Sequence, residues 1–482
     1  MASKSPAGSK RRVRPGGTGS SAVSGQLARP HGGRRSLDAT RLTLMTLGGI
    51  MGSGLFLASG QAIRYAGPGV ALAFAIGAGT MAVEITAFAE MAAAVPVKGS
   101  FIDYSRHALG AWAAFIGGWI FWFSSVLNLA AEATAGAIFT RLWLPHFPVW
   151  GISLAYAMVI IGLNFLPTAG FGTVEAAMAG VKVGAVGLFI LAAAAAATRL
   201  LPAAHAPSPA LWTAHGGFFP AGGRGVAQAM VLVTFSMSGT GVLGMAASQA
   251  QRPERTVGTA LHRSTLAVLA FYVLATLAIT AAVPFHSVPS TNRSPFVAAL
   301  GTFAPPWAGT VFNAVILVAV LSALAAGLFA TNRVLAAMAS GGDAPQFVRT
   351  PRRANMLTGL VLALAASLAY FLPHSAFLYL VTATGFQALF IWMLIVLTQI
   401  YYRRRAREAA GELQIRVPLY PWLSWLEVVV LAAIAATALI TPHEALPLGI
   451  GLAAVALAAF GYLIARARKG AATGGDGAPE RS

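Results

Sequence analysis

The sequence contains no cysteine, and charged side chains make up only 10% of it, where a soluble domain has about 25%. Without cysteine, the chain forms no disulfide and offers no thiol for catalysis or metal binding. Hydrophobic residues reach 57% of the 482 positions. This composition argues against a soluble enzyme. It predicts an all-α integral membrane protein, because the apolar runs are long enough to cross a bilayer as helices.

Motifs of several functional classes are also missing. No GxxxxGK[ST] segment is present, so we do not expect an ATP-driven pump. No HExxH motif is present and the nine histidines are scattered, so we expect no metal site, no cofactor and no enzymatic activity. The net charge of +19 would suggest a nucleic-acid partner in a soluble protein. In a membrane protein such charge reports topology instead, and we expect no nucleic acid to bind.

Twelve apolar segments are predicted to span the membrane. A basic N-terminal tail, 1–40, and a short C-terminal tail, 466–482, flank them and are predicted to be disordered. The N-terminal tail either contacts anionic membrane lipid or is merely solvated in the cytoplasm, and the second interpretation is favoured. The approximate bounds of the spans are 42–64, 68–93, 111–138, 147–166, 174–199, 225–249, 258–283, 309–338, 356–373, 375–401, 422–441 and 443–465.

Lysine and arginine are distributed unevenly between the two ends of these spans. With the N-terminus inside, 28 of the 33 lie in the tails or at cytoplasmic ends. The predicted outer side holds only Arg64, Arg141, Arg199, Arg224 and Arg293. The positive-inside rule therefore predicts a multi-pass protein of the cytoplasmic membrane with both termini in the cytoplasm.

Residues 47–57, Leu-Gly-Gly-Ile-Met-Gly-Ser-Gly-Leu-Phe-Leu, combine membrane-like hydropathy with four glycines. Glycine at this density disfavours a helix. One interpretation is a transmembrane helix broken at its middle, since unwound backbone is tolerated where protein buries it or it lines a cavity. The other is a face of small residues for close helix packing. Taken alone, the segment leaves both interpretations open.

A second segment, 235–244, reads Phe-Ser-Met-Ser-Gly-Thr-Gly-Val-Leu-Gly and lies midway along another apolar run. Two glycine-interrupted spans at corresponding places in two halves are typical of secondary transporters with inverted repeats. The second segment therefore favours broken helices. Its GxGxxG pattern does not indicate a dinucleotide site, because no soluble strand–turn–helix unit surrounds it.

The two breaks predict a particular ligand. The N–H groups near Ser53 and Gly54 begin the second half of the first broken helix, and such groups favour a carboxylate. The first half ends near Ile50, whose carbonyl suits an ammonium group. At the second break, Phe235 and Ser238 offer the same kinds of backbone group to a ligand. A ligand with a carboxylate and an ammonium close together satisfies all of these groups, which predicts an α-amino acid or a close relative.

Two ionisable residues inside predicted spans are candidates for proton coupling. Lys182 lies about eight residues into its span. It is either buried, where desolvation disfavours its charged form and lets it exchange a proton, or extended to the inner surface. Glu132 either faces the substrate amino group or exchanges a proton, or else is a structural carboxyl group. Glu90, near a cytoplasmic end, is expected to pair with basic groups there.

An ordered set of motifs resembles the amino acid permeases of the amino acid–polyamine–organocation superfamily. The resemblance is greatest to the bacterial amino acid transporter family that includes the GABA, lysine and aromatic permeases, and it covers about residues 36–465. The motifs are Gly49-Ile-Met-Gly-Ser-Gly-Leu-Phe56, Ala66-Gly-Pro-Gly69, Phe88-Ala-Glu-Met91, Val95-Pro-Val-Lys-Gly-Ser-Phe101, Gly118-Trp-Ile-Phe-Trp122, Val181-Lys-Val183, Phe235-Ser-Met-Ser-Gly-Thr240, Pro253-Glu-Arg255, the run Leu321 to Arg333, and Gly342-Asp-Ala-Pro345.

The resemblance implies a five-plus-five inverted-repeat fold with helices 1 and 6 broken. The ten-helix core would occupy 41–401, with repeats at about 41–200 and 224–401, followed by helices 11 and 12 in 402–465. It implies substrate binding at the breaks and a lysine where sodium-coupled relatives bind their ion, which favours protons as the coupling ion. The substrate-binding residues implied are Ile50, Ser53, Gly54, Phe235, Ser238, Gly239 and Thr240, and the lysine is Lys182.

The chain departs from the family pattern at three places. Many members have glutamate where this sequence has Gly241 and Gln249, and the usual Asn-Ser pair of span 8 is Ala325-Ala326. Loss of those carboxylates disfavours a cationic substrate. We therefore expect a proton-coupled importer of neutral or zwitterionic amino acids, such as GABA, that works by alternating access. An exchanger of amino acids or amines and a non-transporting amino acid sensor remain alternatives, and the oligomeric state is left open.

Overall fold

The computed structural model describes residues 39–94, 101–166, 171–201, 203, 205–240, 253–373, 375–406, 415–441 and 444–473, and within these ranges all regular structure is helical. The helices are α1 Ala39–Ile50, α2 Ser59–Ala66, α3 Val70–Ala94, α4 Phe101–Ala108, α5 Ala111–Thr140, α6 Val149–Leu163, α7 Phe171–Ala197, α8 Ala210–Thr213, α9 Gly222–Ser236, α10 Pro253–Ala282, α11 Pro295–Phe303, α12 Pro306–Ser340, α13 Pro351–Ala366, α14 Leu368–Phe371, α15 Ala376–Ala406, α16 Trp422–Ala436 and α17 Ala445–Thr473.

Most of the predicted spans coincide with single long helices. Nine helices in the described ranges are long and apolar enough to cross a membrane, and α6 is a shorter apolar helix. The all-α membrane class is therefore confirmed. The first predicted span is divided into α1 and α2, and the second half of predicted span 225–249 lies outside the described residues, so the count of twelve stays a prediction.

Besides the four-residue α8, two helices of 8 and 9 residues, α4 and α11, occur where no helix is predicted from the sequence. In α4, Asp103 lies in the first turn and Arg106 in the last, so both charges complement the helix dipole. Helix α11 begins with a proline at its first position and buries Phe296. Neither segment is long enough to give a spanning signal, and α11 is held mainly by its contacts with α10 and α12.

Helix α5 forms the centre of the bundle, in contact with α4, α6, α12, α13, α15 and α17. The two broken helices lie side by side: α2 packs against α9, and α1 contacts the turn that follows α9. A Cβ atom on Gly54 would lie 2.5 Å from the Cα of Ser236, and one on Gly239 would overlap the carbonyl oxygen of Gly49. Both sequence interpretations of the glycines therefore hold, because the glycines at the breaks also allow two backbones to touch.

Candidate functional site

The first break lies at Met51 and Gly52, where α1 ends in a bend. A π-helical segment, Gly54–Ala58, follows and continues into α2. The Gly52 N–H donates to the Ile50 carbonyl at 3.0 Å, a turn contact in place of the α-helical one. The break falls among the glycines that predicted it, since these residues disfavour a continuous helix.

In this structure the N–H group of Ser53 is hydrogen-bonded to a side chain of the protein itself. It donates to the two carboxyl oxygens of Glu132 at 3.1 and 3.2 Å, and the Ser53 hydroxyl donates to Oε1 at 2.9 Å. Glu132 belongs to α5 and is 5% exposed. A Cβ atom on Gly52 would lie 2.5 Å from Oε1, so glycine is needed for this carboxyl group to approach. The position predicted to bind a substrate carboxylate thus holds a carboxyl group of the chain itself.

The carbonyl of Ile50, predicted to accept from a substrate ammonium group, accepts instead from the Tyr272 hydroxyl at 3.1 Å. The same hydroxyl is 3.0 Å from the carbonyl of Ser236, the last residue of α9. A tyrosine hydroxyl carries one proton, so it donates to only one of these oxygens at a time. Tyr272 therefore links the ends of α1 and α9. Sequence reasoning did not select it, although a buried tyrosine in an apolar span generally has a polar partner.

Lys182 is fully buried on α7, and its ammonium group donates to the carbonyl of Gly48 at 2.9 Å. This placement excludes the interpretation in which Lys182 extends to the membrane surface. Glu175 lies beside the same turn of α1, since a Cβ atom on Gly48 would lie 3.5 Å from its Oε1. Lys182 therefore contacts α1 two residues before that helix ends, while its role in proton coupling stays a prediction.

The second break begins at Met237, after α9 ends at Ser236. Phe235 is buried in the last turn of α9, and Ser238 begins the short 3₁₀ turn Ser238–Thr240, with its hydroxyl donating to the Phe235 carbonyl at 2.8 Å. Gly239 packs against the backbone of α1 near Gly49. The departures at Gly241 and Gln249 lie outside the described residues.

A cavity of about 110 Å³ reaches the second break. This volume is several times the roughly 30 Å³ that one water occupies in the liquid. Ser238 lines the cavity, whereas Ile50, Ser53, Gly54 and Phe235 are not among its lining residues. Its polar wall also includes Glu84, Ser124, Ser125, Asn128 and Thr384, and its apolar wall includes Phe88, Phe101, Phe121 and Trp392.

The arrangement is a pair of interrupted helices whose free backbone groups are satisfied by side chains from neighbouring helices. Glu132 of α5, Lys182 of α7 and Tyr272 of α10 contact the backbone between residues 48 and 53. These three groups can take up, release or redirect a proton. Within the described ranges, no three His, Asp or Glu side chains gather closely enough to hold a metal ion.

Comparisons with known proteins agree with this architecture. A family model described as "Amino acid permease" matches residues 41–466. The "Uncharacterized amino acid permease YvbW" of Bacillus subtilis is 31% identical over 89% of this chain and 97% of that protein. The "Gamma-aminobutyric acid permease" of B. subtilis is 31% identical over 83% and 87% of the two chains, and that of Escherichia coli is 30% identical over 92% and 97%.

Solved structures give the same fold. A manganese transporter of Eremococcus coleocola superposes with a TM-score of 0.57 over 89% of this chain and 94% of that chain, at 14% sequence identity. At this identity the likeness shows the fold alone. It confirms the predicted all-α transporter fold, and the described residues show the first helix break directly, whereas the second broken helix is described only up to Thr240.

Proposed function

The chain belongs to the amino acid permease family, a family of multi-pass membrane transporters, and from that premise we propose that it imports neutral or zwitterionic amino acids together with protons. Transport proceeds by alternating access around the two helix breaks, with both termini in the cytoplasm and the ten-helix core at 41–401. Its relatives and its fold support amino acid transport across the membrane. We further propose that protons are the coupling ion and that the substrate binds at residues of the two helix breaks.

The observation that carries the proposal is the contact between Ser53 and Glu132. Three hydrogen bonds of 2.9 to 3.2 Å join the Ser53 N–H and hydroxyl to that carboxyl group. The hydrogen-bond donors at the start of the second half-helix are thus arranged to bind a carboxylate. Every amino acid substrate carries such a group. Gly54, next in the chain, adds backbone in close contact with α9.

A substrate carboxylate at this place competes with Glu132 for the same donors. Two negative charges about 4 Å apart repel each other by about 4 kcal/mol at an effective dielectric constant of about 20. Protonation of Glu132 removes the repulsion and weakens its hold on Ser53. A proton and a substrate therefore enter this site together, which is the requirement for symport.

The ammonium side of the site uses Tyr272 as a movable donor. When its hydroxyl turns to the Ser236 carbonyl, the Ile50 carbonyl is left free for a substrate ammonium group. Lys182 holds the preceding turn of α1 through Gly48, and a change in its proton occupancy alters a charge-assisted hydrogen bond at the end of α1. Phe235, Ser238, Gly239 and Thr240 form the opposite side of the site.

The proposal is tested by uptake of a panel of labelled amino acids into proteoliposomes, with and without an inward proton gradient. Accumulation of neutral amino acids above equilibrium only when the gradient is imposed supports symport. Uptake only into vesicles preloaded with an amino acid or amine would identify the exchanger instead. Equilibrium binding without flux in either condition would identify a sensor and contradict the transport mechanism.

A further inference from the structure

A second cavity, of about 750 Å³, lies on the side of the bundle that is predicted to face outwards. Its walls come from the end of α2, the end of α5, the connection between α10 and α12, and the start of α15. Three of the five arginines assigned to the outer side line it, at Arg64, Arg141 and Arg293. His286 lines it as well.

The charge on this wall has one sign. Among the described residues that line the cavity, no aspartate or glutamate accompanies the three arginines. Arg141 donates one hydrogen bond to the Pro145 carbonyl at 3.2 Å, so four of the five donors of its guanidinium group are not used in that bond. A concave surface of one charge sign concentrates ions of the opposite sign. Arginine is also the side chain best matched to a carboxylate, because its planar fork binds both oxygens.

A buried hydroxyl on the same wall has no partner in the described part of the chain. Ser294 lines the wall and is 0% exposed, yet its hydroxyl has no hydrogen-bond partner among the described residues. Buried hydroxyls usually have a partner in the protein or in bound water. Asn313, 3% exposed, lies on the same wall, with its amide nitrogen donating to the Phe139 carbonyl at 2.9 Å. Two neutral polar side chains thus accompany the arginines.

The cavity shares two helices with the first helix break. Arg64 on its wall belongs to α2, which continues from the π-helical segment, and Thr134 belongs to α5, the helix that carries Glu132. Thr134 and Glu132 face different sides of α5, because residues two apart on a helix do not share a face. On another wall, Asn313 is the chain neighbour of Phe312, which packs against Phe56 of the π-helical segment with ring centroids 6.4 Å apart. A ligand held here would contact α2 and α5, while Ser53, Gly54 and Glu132 are not among the residues that line the cavity.

We propose that this cavity is an outer binding site for amino acid carboxylates, and that it ranks amino acids by net charge. Those with a second carboxylate bind more tightly than neutral ones, and cationic amino acids are repelled by the arginines. The inference rests on the proposed transport function and extends its substrate range to acidic amino acids. It also gives the cavity a role at the step before the substrate reaches the breaks.

The test compares glutamate, glutamine and lysine in proteoliposomes containing the full chain. The variant is Arg64→Gln/Arg141→Gln/Arg293→Gln, and the matched control is Arg199→Gln, an exposed outer arginine that does not line the cavity. We expect the variant to raise KM for glutamate about tenfold, equivalent to about 1.4 kcal/mol. We expect KM for glutamine to change less than about twofold, and the control to match the wild-type protein for both.

Ionic strength gives a second measurement. Screening of exposed charges increases between about 0.01 M and about 0.3 M salt, so KM for glutamate in the wild-type protein should rise with salt, and that in the triple variant should not. A KM for glutamate that is no lower than the KM for glutamine in the wild-type protein, or a charge ranking unchanged in the triple variant, would overturn the inference while leaving the transport proposal intact.

Binding separates the two proposals when flux is absent. Equilibrium binding of glutamate and glutamine to the detergent-solubilised full chain needs no transport cycle. Tighter binding of glutamate that is lost in the triple variant supports the cavity as a site even if no amino acid is carried across the membrane. Equal binding of both amino acids to the wild-type chain refutes it.

Discussion

Gly52 is the residue whose replacement most directly disturbs the contact between Ser53 and Glu132. In Gly52→Ala, the added Cβ atom would lie 2.5 Å from Glu132 Oε1 and 3.2 Å from its carboxyl carbon. Non-bonded carbon and oxygen atoms need about 3.5 Å, so the carboxyl group must move by about 1 Å. The hydrogen bonds from Ser53, now 2.9 and 3.1 Å long, would then exceed the range of a normal hydrogen bond.

Each charge-assisted hydrogen bond that is lost costs about 1.5–3 kcal/mol of unfolding free energy, so the loss of at least one lowers the stability by about that amount. The melting temperature in detergent should therefore fall by several degrees. Gly79→Ala is the matched control, because a Cβ atom at Gly79 meets nothing within 4 Å and alanine favours its helix. A Gly52→Ala protein that is as stable as Gly79→Ala, with unchanged dependence of uptake on pH, would refute the assigned contact.

Three further substitutions probe the same region. Gly54→Leu should abolish substrate binding, because a Cβ atom there already collides with Ser236 and forces the two broken helices apart; wild-type affinity in equilibrium binding would contradict this. Lys182→Met approximately keeps the length of the side chain and removes the hydrogen-bond donor to the Gly48 carbonyl. Proton-driven accumulation of amino acids should then fall about tenfold or more. An unchanged response of uptake to pH would assign proton coupling to another group. Tyr272→Phe keeps the ring and removes the hydroxyl that links the ends of α1 and α9, and we expect a raised KM with a cooperative melt retained; kinetics identical to the wild-type protein would exclude a role in substrate binding.

The broken helices were predictable because their cause is local. Clusters of glycine in apolar segments weaken a helix wherever the segment lies in the bundle. The sequence left two alternatives for Lys182, which was either buried or extended to the inner membrane surface. The structure shows that it is buried. Glu90 meets its expected basic partner, with Arg403 at 3.5 Å, and is fixed further by the side-chain amide of Gln399 at 3.1 Å.

The partners at the breaks were not predictable because they depend on packing between distant segments. Glu132 is 79 residues from Ser53, and Tyr272 is 222 residues from Ile50. A polar residue inside a span indicates only that some partner exists. Which backbone group it contacts depends on the rotation of α5 and α10 in the bundle, and the span pattern does not contain that information. The arginine-lined cavity likewise comes from connections that are far apart in the chain.

Proton coupling through Glu132 is tested most directly by measuring amino acid and proton uptake together in the same proteoliposomes, for the wild-type protein and Glu132→Gln. Glutamine is nearly the same size as glutamate but carries no exchangeable charge. We expect one proton to accompany each amino acid in the wild-type protein. Glu132→Gln should equilibrate amino acids without proton uptake and without accumulation driven by the gradient. Proton uptake at the wild-type ratio in Glu132→Gln would contradict the role given to Glu132.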